Sequence, residues 1–197
     1  MDEELRQARC GYITASKANV LLASNSAKPG KTFYDYATEL VAERTTGVPA
    51  EGFSSDAMQW GTDNEAGAIE AYSAGEFTTQ GVFVRHPTLD LVGCTPDLFV
   101  EPNGLAEFKC PKSTTHLGYL LDPKVPTPYM RQMHFQLRVT GRQWCDWVSF
   151  DPRQREELRI HIIRVEPDPD IVKAIVERRD LMESIIDETL RKLGIAA

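Results

Sequence analysis

The chain has 197 residues, of which 42% are hydrophobic and 26% charged, and its 22 Lys and Arg against 29 Asp and Glu give a net charge of −7. These proportions describe a single folded domain spanning 1–197, and they exclude a disordered chain and an indiscriminate polyanion binder. No apolar run reaches membrane-spanning length, and the acidic start Met1-Asp2-Glu3-Glu4 has no signal-peptide core, so a cytoplasmic protein is expected.

In chain order, Thr14 or Ser16 is placed to cap a short helix ending at Leu22, and the small and polar residues of Ala23–Lys31 read as a loop. Phe33, Tyr36, Ala37, Leu40 and Val41 recur at helical spacing, with Gly47 as terminator. Ser54, Ser55 and Asp56 open a long helix carrying Met58, Trp60, Ala66, Ile69 and Tyr72 and ending at Gly75. The period then shortens. Strands are predicted at Thr78–Phe83, Leu91–Val92, Asp97–Val100 and Leu105–Cys110, with Pro102-Asn103-Gly104 as a hairpin turn. Pro128 starts a helix running to Thr140, capped by Gly141, and two strands follow at Trp144–Phe150 and Leu158–Val165. The Pro- and Asp-rich break at 166–170 leads into a last amphipathic helix over Ile171–Leu193. This order predicts a central mixed sheet flanked by helices.

The mean charge conceals a gradient. Between Phe108 and Arg164 there are ten Lys and Arg against five Asp and Glu, a local balance of +5 within a chain that is otherwise −12. A basic centre of that kind is a plausible footprint for a polyanion, or simply an arginine-rich helix surface. Cys10, Cys94, Cys110 and Cys145 form no C-x-x-C pair, and His86, His116, His134 and His161 are scattered, which argues against zinc and iron–sulfur centres and for free thiols in a reducing compartment.

The chemistry concentrates in Pro96-Asp97 and Glu107-Phe108-Lys109. In a strand Glu107 and Lys109 share a face while Phe108 turns to the core, and a bent hairpin brings Asp97 beside Glu107. Two carboxylates and a backbone carbonyl, such as that of Phe108, make an oxygen-rich site suited to Mg²⁺, with Lys109 to offset charge or handle the attacking water. Taken alone, the same residues also fit a surface hairpin. Glu65 on the long helix can reach the same place. Arg9 and Ser16 bracket a helix start of the kind that holds phosphate, and Gln132 and His134 lie on the helix after Pro128.

Together these blocks resemble the phage lambda exonuclease family, the YqaJ-like viral recombinase branch of the PD-(D/E)xK nucleases. The resemblance rests on Arg9-x-Gly-x-Ile-Thr-Ala-Ser16, Trp60-Gly-x-x-x-Glu65, Thr95-Pro-Asp97, Glu107-Phe-Lys-Cys-Pro111, Gln132-Met-His-Phe and the segment from Trp144 to Phe150-Asp-Pro152, in that order. It implies a PD-(D/E)xK restriction-endonuclease-like fold and a processive 5′→3′ exonuclease on double-stranded DNA ends. Such an enzyme uses Mg²⁺, with Mn²⁺ able to substitute and two ions per site. It leaves 3′ single strands for a phage annealing protein and works as a ring-shaped homotrimer in the cytoplasm of a bacterial host. By resemblance, Asp97, Glu107, the Phe108 carbonyl and Glu65 would serve the metal, and Lys109 the nucleophile. Arg9, Ser16, Thr95 and Gln132 would grip the terminal phosphate, and Met58 would occupy the place of a strand-separating wedge. The alternatives are a structure-specific or restriction-type endonuclease on the same scaffold, and a catalytically silent DNA-end-binding adaptor.

Overall fold

The computed structural model describes residues 3–23, 28–52, 55–72 and 78–195, so the expected helix ends at Ser54 and Gly75 lie outside the described residues. Two sheets organise the chain. The larger has five strands in the order β2 (Thr78–Gln80), β5 (Leu98–Val100), β6 (Gly104–Lys109), β7 (Trp144–Phe150) and β8 (Ile160–Val165). Only β6 and β7 run parallel; the other pairs are antiparallel, which makes this the mixed sheet expected. Three short strands, β1 (Ile13–Thr14), β4 (Val92–Cys94) and β3 (Val84–Arg85), form a second sheet.

The central parallel pair is covered on both faces, the usual condition for parallel strands. On one face Ala106, Phe108, Val148 and Phe150 pack against Ala68 of α4 (Asp56–Tyr72). On the other, Leu105, Cys145 and Trp147 pack against Met133 and Leu137 of α6 (Thr127–Thr140). The three-stranded sheet shares a further core with α2 (Ala18–Leu21), α3 (Lys31–Thr46), α6 and α7 (Pro169–Lys192). Gly47 and Gly141 close α3 and α6 in the left-handed conformation, and Asp168 caps α7 through its side chain, as the sequence predicts.

Some expectations change. Thr14 makes no side-chain cap; it ends β1, and residues 15–17 form a single 3-10 turn before α2. The strand expected over Thr78–Phe83 stops at Gln80, where the chain turns to let Gly81 donate its N–H to the Asp97 carbonyl at 3.0 Å. Two helices escape the periodicity. The helix α1 (Glu3–Ala8) buries no residue, and α5 (Ser113–Leu121) holds two threonines and a glycine. Its anchor is His116, fully buried, whose Nε2–H donates to the Leu158 carbonyl at 2.7 Å while Nδ1 meets the Ser149 hydroxyl at 2.7 Å. No helix among the described residues is long and apolar enough to cross a membrane.

The β5–β6 hairpin is pinned at its turn by Arg142, which donates to the carbonyls of Val100 and Pro102, pairs with Glu101 and lies over the Phe99 ring. At the strand's other end, Gly81 approaches so closely that a Cβ there would collide with the Pro96 carbonyl oxygen. Gly81→Ala is therefore expected to lose about 1–3 kcal/mol of stability in denaturant titration, the usual cost of overpacking. Gly118→Ala, in α5 with nothing within 4 Å of the added methyl, should be neutral or gain up to about 1 kcal/mol. Equal effects at the two positions would contradict the close-approach argument.

Candidate active site

Glu107 is the structural centre of the site. It lies on β6 facing α6, 1% exposed, and three donors meet its two oxygens. Lys109 Nζ and Gln132 Nε2 both reach Oε1 at 2.5 Å, and Gln136 Nε2 reaches Oε2 at 2.6 Å. The period-two alternation delivers Glu107 and Lys109 to one face and sends Phe108 into the α4 core, as expected. Gln136 is fully buried and was not singled out in the sequence. Its signal was present: it lies one helical turn beyond Gln132, so both amides share a face of α6.

Asp97 precedes β5 and turns back across the hairpin, where its Oδ2 accepts the Phe108 N–H at 2.7 Å. Burial, with the neighbouring Glu107 charge second, pushes the Asp97 carboxyl up to about 8. Glu65 is also held above the ordinary range, first by burial and then by Glu107. Burial alone would lower the Lys109 ammonium, but the carboxylates of Glu107 and Asp97 outweigh it and hold the pKa above its ordinary value.

Asp97, Glu65 and Lys109 line one cavity of about 770 Å³, together with Met58, Lys112 and Arg153. Met58 is 55% exposed and is not the core residue that a helical methionine usually is. It also borders a second cavity of about 510 Å³ that contains Arg9 and Ser16. There Arg9 Nη2 donates to Ser16 Oγ at 2.9 Å, and Thr14 Oγ1 lies 3.2 Å from the same oxygen. The other expected phosphate contacts differ. Gln132 points at Glu107, and the Thr95 hydroxyl is buried without a hydrogen-bond partner. His134 is buried, with Nδ1 bonded to the Met130 carbonyl, which is packing polarity and not a site contact.

The fold implies a divalent cation, and the donor chemistry fits one: hard carboxylate oxygens of Asp97 and Glu107 flanking the Phe108 peptide, with Glu65 in the same cleft. The raised Asp97 carboxyl is a second sign of fit, because the buried acids lack sufficient positive charge. Among the described residues, no three His, Cys, Asp or Glu side chains are gathered tightly enough to hold an ion as they stand. Glu107 would have to exchange a donor to reach one.

Paired acids and a lysine on a bent hairpin, in a cleft of a mixed sheet, define a nuclease of the PD-(D/E)xK fold. The profile of the YqaJ-like viral recombinase domain matches residues 4–143, and the chain belongs to that family. It is 33% identical to an alkaline exonuclease from Laribacter hongkongensis over 98% of both chains, with a TM-score of 0.84. The same enzyme has been solved with dAMP and matches equally well. A phage-related exonuclease from Haemophilus somnus 129PT, 15% identical over 92% of this chain and 96% of its own, shares the fold with a TM-score of 0.74. No curated protein matches the sequence. The protein is an enzyme, an exonuclease and thus a hydrolase.

The Asp97 proton gives a pH signature. The unfolded carboxyl ionises near its ordinary value of 3.8, whereas the folded one keeps its proton to about 8. The folded state binds this proton more tightly, so the stability it contributes is present below the unfolded value and is lost as pH rises through the folded one. Without divalent cation, Tm is expected to fall across that window. Asp97→Asn should flatten the fall, and Mg²⁺ should oppose it. Calorimetric melts over the pH series test this, and identical slopes in wild type and variant would dismiss Asp97 as the source.

Proposed function

We propose that the protein, acting as one domain over 1–197, is a Mg²⁺-dependent exonuclease that enters duplex DNA at an end and digests the 5′-ended strand. What remains is a 3′ single strand. The observation that carries this reading is the pair of adjoining cavities. One holds Asp97, Glu65 and Lys109, the other holds Arg9 and Ser16, and Met58 stands on the border between them. Such a layout suits a substrate whose 5′-phosphate is gripped on one side of an apolar wedge while its first phosphodiester is hydrolysed on the other. The dAMP bound to the Laribacter enzyme has the chemistry of a product released by stepwise hydrolysis of DNA.

Asp97, Glu107 and the Phe108 carbonyl would hold the cation, with Glu65 at a second ion or its water. A cation bound there supplies Lewis-acid polarisation and a more acidic water. In the hydrolysis a water gives up a proton as its oxygen bonds to phosphorus, the bond from phosphorus to the 3′ oxygen breaks, and that oxygen takes up a proton. Lys109, on the same strand face as Glu107, would offset charge on the phosphoryl oxygens and orient or deprotonate the water. Gln132 and Gln136 hold the Glu107 carboxylate beside the cleft, and one of its three donors would give way to the cation. In the terminal-phosphate pocket, Arg9 and Ser16 already form a donor pair. Processive action as a ring-shaped homotrimer, substitution of Mn²⁺, cooperation with a phage annealing protein and residence in the bacterial cytoplasm complete the proposal by family.

Linear duplex labelled separately at its 5′ and 3′ ends, incubated with Mg²⁺ beside a closed circle, tests the reading. Loss of the 5′ label alone with the circle intact is expected. Cutting of the circle would replace it with an endonuclease, and end binding without strand loss would replace it with an adaptor. Arg9→Ala should reduce the preference for 5′-phosphorylated over 5′-hydroxyl ends by about tenfold, on the scale of one charge-assisted contact. An equal loss on both kinds of end would remove Arg9 from phosphate recognition.

A further inference from the structure

Two sequence blocks left without a task meet at the rim of the catalytic cleft: Trp60 of α4, and Asp151-Pro152 after β7 with Arg153 next in the chain. The Arg153 guanidinium lies over the Trp60 ring at 4.3 Å from its centroid. Its Nε donates to Asp151 Oδ1 at 2.6 Å, and its Nη2 donates to the Pro111 carbonyl at 3.1 Å. Asp151 is itself fully buried and serves as an anchor, also taking the Arg153 N–H at 3.1 Å and Gln154 Nε2 at 3.2 Å. Burial would raise that carboxyl, but the bonds from Arg153, Ser113 and Gln154 prevail and hold it at about 2. The guanidinium plane is thus fixed on one face by an aromatic ring and along one edge by two acceptors.

What is left over is informative. Nη1 enters neither of those bonds, and the side chain is 44% exposed in the cavity that holds Asp97 and Lys109. Beside it, Gly61 leaves the cleft wall open, with nothing within 4 Å of where a Cβ would stand. Lys112 lines the same cavity. A planar cation, immobilised in advance and facing an open channel, matches a phosphodiester oxygen at low cost in lost side-chain freedom.

We propose that Arg153, oriented by Asp151 and Trp60, binds a non-scissile backbone phosphate of the strand in the catalytic cleft and so sets which phosphodiester meets the acids. The proposal rests on the reading of the protein as a DNA exonuclease. It concerns a contact separate from the Arg9 and Ser16 pocket at the strand terminus.

The test is a methylphosphonate scan. Duplex ends carrying a single uncharged methylphosphonate at successive positions are bound with Ca²⁺ in place of Mg²⁺, so that binding is read without cutting. The wild type should lose about tenfold in affinity at one position flanking the scissile bond. Arg153→Gln should bind unmodified DNA about tenfold more weakly, lose the sensitivity at that position and show a salt slope smaller by about one. Arg153→Lys should restore the salt slope and little of the positional sensitivity. If Arg153→Gln keeps the wild-type scan and slope, Arg153 is structural and the proposal falls while the exonuclease reading stands. If the wild type neither binds nor digests ends, the exonuclease reading itself fails. Should Arg153→Gln fail to fold because Asp151 is left charged and buried, the double substitution Asp151→Asn with Arg153→Gln carries the same measurement.

Discussion

A carboxylate buried between a strand and a helix must be matched donor for donor, because an uncompensated charge in that position costs several kcal/mol. Glu107 meets this demand with an ammonium from its own strand and two amides from α6. The match constrains much of the molecule. It fixes the rotation of α6, because Gln132 and Gln136 must face the sheet while Met133 and Leu137 fill the core below. It fixes the register of β6, because a slip of one residue would put Phe108 among the amides and Glu107 in the α4 core.

This balance also describes a site prepared for more positive charge. Three acids share the region with one lysine, and both Asp97 and Glu65 are held above their ordinary ionisation range, by burial first and by Glu107 second. The interior is thus arranged for a condition in which the acids are screened. In the proposed reaction, the substrate's phosphates would meet a cleft edged by Lys112 and Arg153, in a protein whose overall charge is negative. The basic centre between Phe108 and Arg164 is in part this rim and in part internal pairing. Arg142 ties down a turn, and Arg164 grips the buried Asp146 with two bonds.

Much of this was legible in the sequence because its signals are local. Alternation placed Glu107 and Lys109 on one face, Gly141 and Asp168 ended and began helices by known backbone chemistry, and β7 was bounded correctly from its apolar run. What was hidden depends on contacts made across the fold. The helix α5 has weak intrinsic propensity and is held by His116 reaching residues 149 and 158. Gln136 has meaning only when Glu107 is known to be beneath it. The role of Arg153 needs Trp60, some ninety positions earlier, to be its stacking partner. Gly81, read in the sequence as one residue of the strand over Thr78–Phe83, is required by a carbonyl that only the folded hairpin brings near.

The Arg142 tie at the hairpin turn has a mechanical consequence. The hairpin carries Asp97 and Glu107; α6 carries the two amides; and Arg142 sits where α6 leads into β7 and bonds back to the hairpin. Strand, turn, arginine and helix therefore form a closed frame, braced at one end by Arg142 and at the other by Glu107 itself. A frame joined at both ends resists shear. The opposite wall, α4, is joined to the sheet by the Tyr72 hydroxyl on Asp146 at one end and by the stack of Trp60 on Arg153 at the other. The cleft thus has one jaw, doubly braced, bearing Asp97 and Glu107, and a second jaw, α4, bearing Glu65 and Met58. A displacement of α4 would carry Glu65 and Met58 together and leave the spacing of Asp97 and Glu107 unchanged.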